Sequence, residues 1–194
     1  VAALTAAQIY SDMGRKVLYI SMQPFSGFEK LLGVRYESDM TDFMYFALKR
    51  PDKLMYKLEG IKRTMHNVDY LPPALDFADL VHIAEDEWKR CLDILLYNSG
   101  YSDIVVDLTE SCEGFYHFLE RSDAVYLLCA EDAFSKAMYA QFEQLMKIRE
   151  FDAALERWIP FDFITGWENS ISNLGQLSLS PIGAHMKGIL RQNG

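Results

Sequence analysis

What this chain has little of narrows the field first. It carries three cysteines, Cys91, Cys112 and Cys129, an odd number with no Cys-x-x-Cys or other ligand spacing. That sets aside a disulfide framework and a thiolate metal site, and the expectation is reduced thiols in a cytoplasmic protein. The four histidines, His66, His82, His117 and His185, are scattered and form no ligand pattern. No apolar run approaches the ~18–20 residues that cross a bilayer. Positive charge is in deficit: 19 Lys and Arg stand against 28 Asp and Glu, for a net charge of −9 and a pI near 4.9. Such a surface disfavours broad contact with a phosphate backbone, so nucleic acid is not an expected partner. Repeats and low-complexity stretches are also missing.

What is present is ordinary for a globular chain. Of 194 residues, 50% are hydrophobic and 24% charged, enough for one sizeable core and a single domain spanning 1–194. The stretch that organises the rest is Tyr101 to Leu108, YSDIVVDL. Its β-branched run Ile104-Val105-Val106 predicts a strand buried on both faces of a parallel sheet. The run ends in Asp107, which falls at the C-terminal end of the strand, where open α/β sheets bind ligands. In nucleotide-binding P-loop proteins an Asp at this place holds Mg²⁺, often through water.

The flanking elements alternate. Val1 to Met13 has a helical apolar period, and Gly14 stands where a C-terminal cap belongs. Arg15-Lys16 leads into Val17-Leu18-Tyr19-Ile20, a buried strand, and then a turn-rich loop from Ser21 to Phe28. Helices are expected over Phe28 to Leu32, Met40 to Leu48 and Pro51 to about Met65, with Pro51 at a tolerated first-turn position. Val68 to Leu71 reads as a strand halted by Pro72-Pro73. Asp76 to Leu80 is a short turn or helix, and Glu85 to Tyr97 a long amphipathic helix with Trp88, Cys91, Leu92, Leu95 and Leu96 inward. Gly114 to Arg121 is a helix, Ala124 to Cys129 a strand and Phe134 to Glu150 a strongly periodic helix. Trp158 to Phe161 is a short last strand. A polar loop through Ser180 precedes a final helix, Pro181 to Leu190, whose small apolar face is expected to pack on the domain. The fold class that follows is α/β: three layers, α/β/α, around a mostly parallel sheet.

Order and spacing together carry a resemblance. VAALTAAQIYSDMGRKVLYI is similar to the small-residue helix, Gly, basic residue and buried strand that follow the phosphate loop of the MinD/ParA branch of P-loop ATPases (the SIMIBI type). YSDIVVDL resembles that family's Walker B strand, LERSDAVYLLCAED its next helix-to-strand segment, and Trp158-Ile159-Pro160-Phe161-Asp162 its Pro-containing turn near the adenine. The likeness spans about Val1 to Phe163, and the atypical CpaE/TadZ-like proteins of pilus assembly are the nearest group. It implies a chain cut directly after the phosphate loop, without that loop and its strand, and an upstream receiver-like domain in the native protein. It also implies Asp107 on the Mg²⁺ side, Ser21 at the water-positioning place, and ATP contacts from Ser21, Gln23, Pro160 and Asp162, with ATP and Mg²⁺ as cofactors where an upstream phosphate loop exists.

The departures from the family are specific. Its Asp-x-Asp after the first strand is replaced by Ser21-Met22-Gln23. A serine hydroxyl carries no charge to polarise an attacking water and is a poor base at neutral pH. The expectation is a weak or non-hydrolysing, nucleotide-responsive homodimer, working with protein partners of a pilus, secretion or positioning machine, in the cytoplasm or peripherally at the membrane's inner face or the cell pole. The alternatives are an active ParA/MinD-type ATPase of partitioning or division, a tyrosine kinase of the same fold, and a nucleotide-independent scaffold. The kinase expects a tyrosine cluster in the tail, and Ile164 to Gly194 contains no tyrosine.

Overall fold

The computed structural model describes residues 1–130, 132–162 and 174–192; for Cys129, Asp162 and Gln192 it describes the backbone alone. Its strands are β1 (Val17–Ser21), β2 (Arg63–Met65), β3 (Val68–Tyr70), β4 (Asp103–Asp107), β5 (Val125–Cys129) and β6 (Trp158–Asp162). Its helices are α1 (Ala2–Asp12), α2 (Phe28–Leu32), α3 (Met40–Lys49), α4 (Leu54–Ile61), α5 (Ala78–Val81), α6 (Glu85–Asn98), α7 (Phe115–Arg121), α8 (Ala133–Ile148), α9 (Asp152–Leu155) and α10 (Pro181–Gln192). Four strands form one sheet in the order β2-β3-β1-β4, and β5 and β6 pair apart from them. The pairings β1–β3, β1–β4 and β5–β6 are parallel, as the alternation of strands and helices requires.

Period-2 alternation sorts β1 between two helical layers. Leu18, Ile20 and Met22 face α3, α4 and α6 in the largest core, which includes Phe43, Leu58, Trp88 and Leu95. Val17 and Tyr19 face α1. That helix can lie close because Ala2, Ala6 and Ala7 are buried where larger side chains would hold it off. It ends as Gly14 predicts: with φ +81, Gly14 N–H donates to Ser11 O at 2.8 Å and Arg15 N–H to Tyr10 O at 3.2 Å, the paired bonds of a left-handed helix cap. At the start of α3, Asp39 accepts from Thr41 N–H, and Asp42 accepts from Asp39 N–H in return. The final helix packs as expected: Ile182 and Met186 of α10 are buried against Ala6, Ile9 and Phe161.

Two expectations need correction. The helix read from Pro51 to Met65 is broken: Pro51–Lys53 is a 3₁₀ turn, α4 ends at Ile61, and Arg63–Met65 is the strand β2, antiparallel to β3. The cause is the two-residue turn His66-Asn67, both in the left-handed region with φ +48 and +64, which is the conformation that closes tight hairpins. The second correction concerns β4, which is half-buried along its length and not enclosed on both faces. It pairs with β1 along one edge, and its other edge meets no strand among the described residues. Nor does β5 meet one along its edge away from β6. Two helices nevertheless span both sheets. From α1, Tyr10 OH lies 3.3 Å from Tyr126 OH of β5. From α7, Phe118 packs in the core of the first sheet, while Leu119 packs with Val125 and Trp158 of the second.

The hairpin is tied to its surroundings by one carboxylate. Asp69 on β3 accepts from Thr64 Oγ1 (2.6 Å), Tyr101 OH (2.7 Å) and Lys62 Nζ (2.9 Å). Partial burial pushes its pKa up, and these three donors outweigh it, so the carboxyl is held below its ordinary value. A depressed folded-state pKa stabilises the fold fully above the unfolded value of about 3.9 and ceases to do so as the pH falls through the lower folded value. Asp69→Asn is therefore expected to cost roughly 1–3 kcal/mol at pH 7. Urea unfolding as a function of pH should show a shallower acid limb in the variant than in the parent below about pH 4.

Candidate functional site

The register of β1 against β4 places Ser21 opposite Asp107. One more bond continues the ladder beyond the strands, from Met22 N–H to Asp107 O at 2.9 Å. Alternation then puts Tyr19, Ser21 and Gln23 on one face, the face that Asp107 shares. Their side chains meet. Gln23 Nε2 donates to Asp107 Oδ1 at 3.0 Å and to Leu108 O at 3.4 Å. Tyr19 OH donates to Asp107 Oδ2 at 3.1 Å. Ser21 is buried, and its Oγ accepts from Gln23 N–H at 3.4 Å, steadying the turn that carries the glutamine. Both Asp107 oxygens thus accept from neutral donors. Burial, and next the Asp107 carboxylate, push the Tyr19 phenol well above its ordinary value, so it stays a protonated donor.

A cavity of about 310 Å³ opens against this cluster, lined by Tyr19, Ser21, Gln23 and Asp107 together with Ser26, Phe28, Leu4 of α1 and other apolar residues. None of the described residues that line it is Lys or Arg. The chemistry on offer is a carboxylate, three hydroxyls, an amide and an aromatic wall, with no cationic side chain among the described lining residues to meet a phosphate chain. No group of three or more His, Cys, Asp or Glu that could hold a metal ion occurs among the described residues. Cys112, in the loop after β4, is buried, and desolvation pushes its thiol up to about 11. It is a packing residue, as Cys91 is, whose thiol burial pushes up to about 12.

The structure therefore brings Ser21, Gln23 and Asp107 together and leaves Pro160 elsewhere. Pro160 sits within β6 opposite Leu127, in a strand paired along a single edge among the described residues, where a missing N–H is tolerated. It does not line the cavity. Asp162 closes the same strand, and its side chain lies outside the described residues. Tyr19 is the site residue that the sequence reading passed over as core. The available signal was its place two residues before Ser21 on a strand, which fixes it to the same face.

No family model and no curated protein matches the sequence. Solved structures do match the fold. A ParA family ATPase from Chlorobium tepidum superposes with a TM-score of 0.67 at 20% identity, covering 99% of this chain and 83% of its own. MinD of Pyrococcus horikoshii, solved with Mg-ADP, gives 0.62 at 15%, covering 99% and 88%. The MinC:MinD complex of Aquifex aeolicus gives 0.60 at 17%, covering 96% and 72%.

Replacing Tyr19 by Phe removes one donor to Asp107 and keeps the ring's packing against Phe28. The expected loss is about 1–2 kcal/mol, read as a lower denaturation midpoint with an unchanged slope against denaturant.

By its order of elements, its parallel pairing and these superpositions, the chain has the fold of the ParA/MinD ATPases.

Proposed function

We propose that this chain is the core of an atypical ATP-binding positioning or assembly factor of the MinD and CpaE/TadZ kind, with weak or no hydrolysis, acting as a nucleotide-responsive homodimer. The observation that carries the reading is the carboxylate of Asp107 at the C-terminal end of β4, in register with Ser21 and beside a cavity. Ligands of open α/β sheets bind at that end, and the P. horikoshii MinD of the same fold was solved with Mg-ADP.

In this reading a strand and phosphate loop upstream of Val1 complete the site, and the edges of β4 and β5 that meet no strand among the described residues, with α1 and α7 touching both sheets, support such an addition. The loop's backbone N–H groups and lysine would supply the positive potential that the cavity lining does not. ATP would bring its γ-phosphate to the face shared by Ser21, Gln23 and Asp107. Ser21 can hydrogen-bond a water there and cannot polarise it as a carboxylate does, so turnover is slow and the bound state persists. A persistent bound state suits a switch that holds two copies together.

The dimer face proposed is the rim of the cavity, where Phe25 is 97% exposed and Leu31 55%. Large apolar side chains held in water beside a site are what a partner surface covers. Protein partners are in keeping with the MinC:MinD assembly of a protein of the same fold. Among the described residues no helix is long and apolar enough to cross a membrane, and any membrane contact is proposed as peripheral.

Calorimetric titration of ATP into the native chain, with Asp107→Ala alongside, tests the reading. Binding that the substitution changes by tenfold or more, with no phosphate released over an hour, is the expected result. Absence of heat from a folded sample would sink the nucleotide reading and leave a nucleotide-independent scaffold.

A further inference from the structure

Asp107 is the acidic group on which a divalent cation at this site would depend, and its surroundings are already committed. Oδ1 accepts from Gln23 Nε2 at 3.0 Å, and Oδ2 accepts from Tyr19 OH at 3.1 Å. The orientation of the Gln23 amide is fixed by its neighbours: Nε2 lies between two acceptors, Asp107 Oδ1 and Leu108 O, so the NH₂ end has to point at them. The backbone of the same residue is tethered, since Gln23 N–H donates to the buried Ser21 Oγ. A partly positive NH₂ group is thereby held against the carboxylate oxygen from a strand extension and not from a wandering loop tip.

A Mg²⁺ ion needs that same space. It takes near-octahedral oxygen ligands at about 2.0–2.1 Å and gives up its waters reluctantly. On the side of Oδ1 that the amide occupies, an ion bound directly or through a water would overlap an NH₂ group standing 3.0 Å from that oxygen. For the ion to settle there Gln23 has to swing away, breaking its bonds to Asp107 and Leu108. Among the described cavity-lining residues no second acid stands to offset that loss.

We propose that Gln23 is a built-in competitor of the divalent cation at Asp107: its amide, supported by Ser21 and seconded by the Tyr19 hydroxyl, occupies the cation's place and makes this site depend on the ion far less than a site with a free carboxylate. The proposal deepens the nucleotide-site reading and rests on it for its biological sense, while its physical content concerns Asp107, Gln23 and the ion alone. It assigns the glutamine a part in setting cation preference: the neutral amide lowers affinity for the ion and keeps the carboxylate compensated when the ion is absent.

The test is Mn²⁺ titration, followed by water-proton relaxation, of the native chain and of Gln23→Ala, Gln23→Asn and Asp107→Asn, first without nucleotide and then with ATP. Gln23→Asn keeps the polarity and shortens the reach, so it reports even where Gln23→Ala fails to fold. The expected result is Mn²⁺ affinity at least tenfold tighter in Gln23→Ala or Gln23→Asn than in the parent, with binding abolished in Asp107→Asn. Equal affinities in parent and Gln23 variants, or no Mn²⁺ binding in any of them, would overturn the proposal. Tighter Mn²⁺ binding in the variants with no response to ATP would uphold the competition and refute the nucleotide reading, so the two failures are distinguishable.

Discussion

Parallel pairing of β1 with β4, residue by residue from Val17–Asp103 to Ser21–Asp107, is the constraint on which core and site both depend. It sends Leu18, Ile20 and Met22 into the larger core and Tyr19, Ser21 and Gln23 toward Asp107. A slip of one residue would exchange those sets, burying the polar groups among Phe43, Leu58 and Trp88 and turning the aliphatic ones into the cavity. Packing on one face therefore guards the chemistry on the other. The polar cluster is safe because the apolar side of the same strand has no acceptable alternative register.

Much of this was legible in the sequence because it is written in short periods. The run Ile104-Val105-Val106 before Asp107, the alanines of α1 and the glycine cap at Gly14 state their roles locally, and the parallel α/β class follows from their order. The β2–β3 hairpin was not legible. Its turn, His66-Asn67, lacks the glycine that usually announces a tight hairpin, and Lys57 to Met65 carries enough helix-forming residues to read as a continuation of α4. The half-exposure of β4 was hidden for another reason: burial depends on what lies beside a strand, which its own residues do not record.

At the site, Asp107 could be named from its place at a strand end, and Ser21 and Gln23 from the family resemblance, where they stand in place of Asp-x-Asp; the structure brings the three together. Their bonding could not be foreseen. Glutamine and aspartate could stand at these places with a water or an ion between them; that they touch is set by the extra ladder bond from Met22 N–H to Asp107 O. Tyr19 was concealed by its size, since a large aromatic in a run of aliphatics reads as filling. Here its ring does fill, stacked on Phe28, and its hydroxyl reaches past the packing to the carboxylate. Pro160 stands apart because β6 belongs to the second sheet.

The edges of β4 and β5 that meet no strand among the described residues have a consequence for how such a protein behaves in a crowded solution. An open edge is ordinarily a template on which any passing extended segment can dock, and so a seed for aggregates. Here α1, through Tyr10, and α7, through Phe118 and Leu119, touch both sheets, which narrows the ways in which a foreign segment could lie across these edges. A strand that paired with either edge would alternate its side chains between the two faces of the sheet, and each face would have to suit the helix beside it. Such helical layers work as a steric filter, favouring a strand whose side chains fit both of them over flat sheet-on-sheet contact.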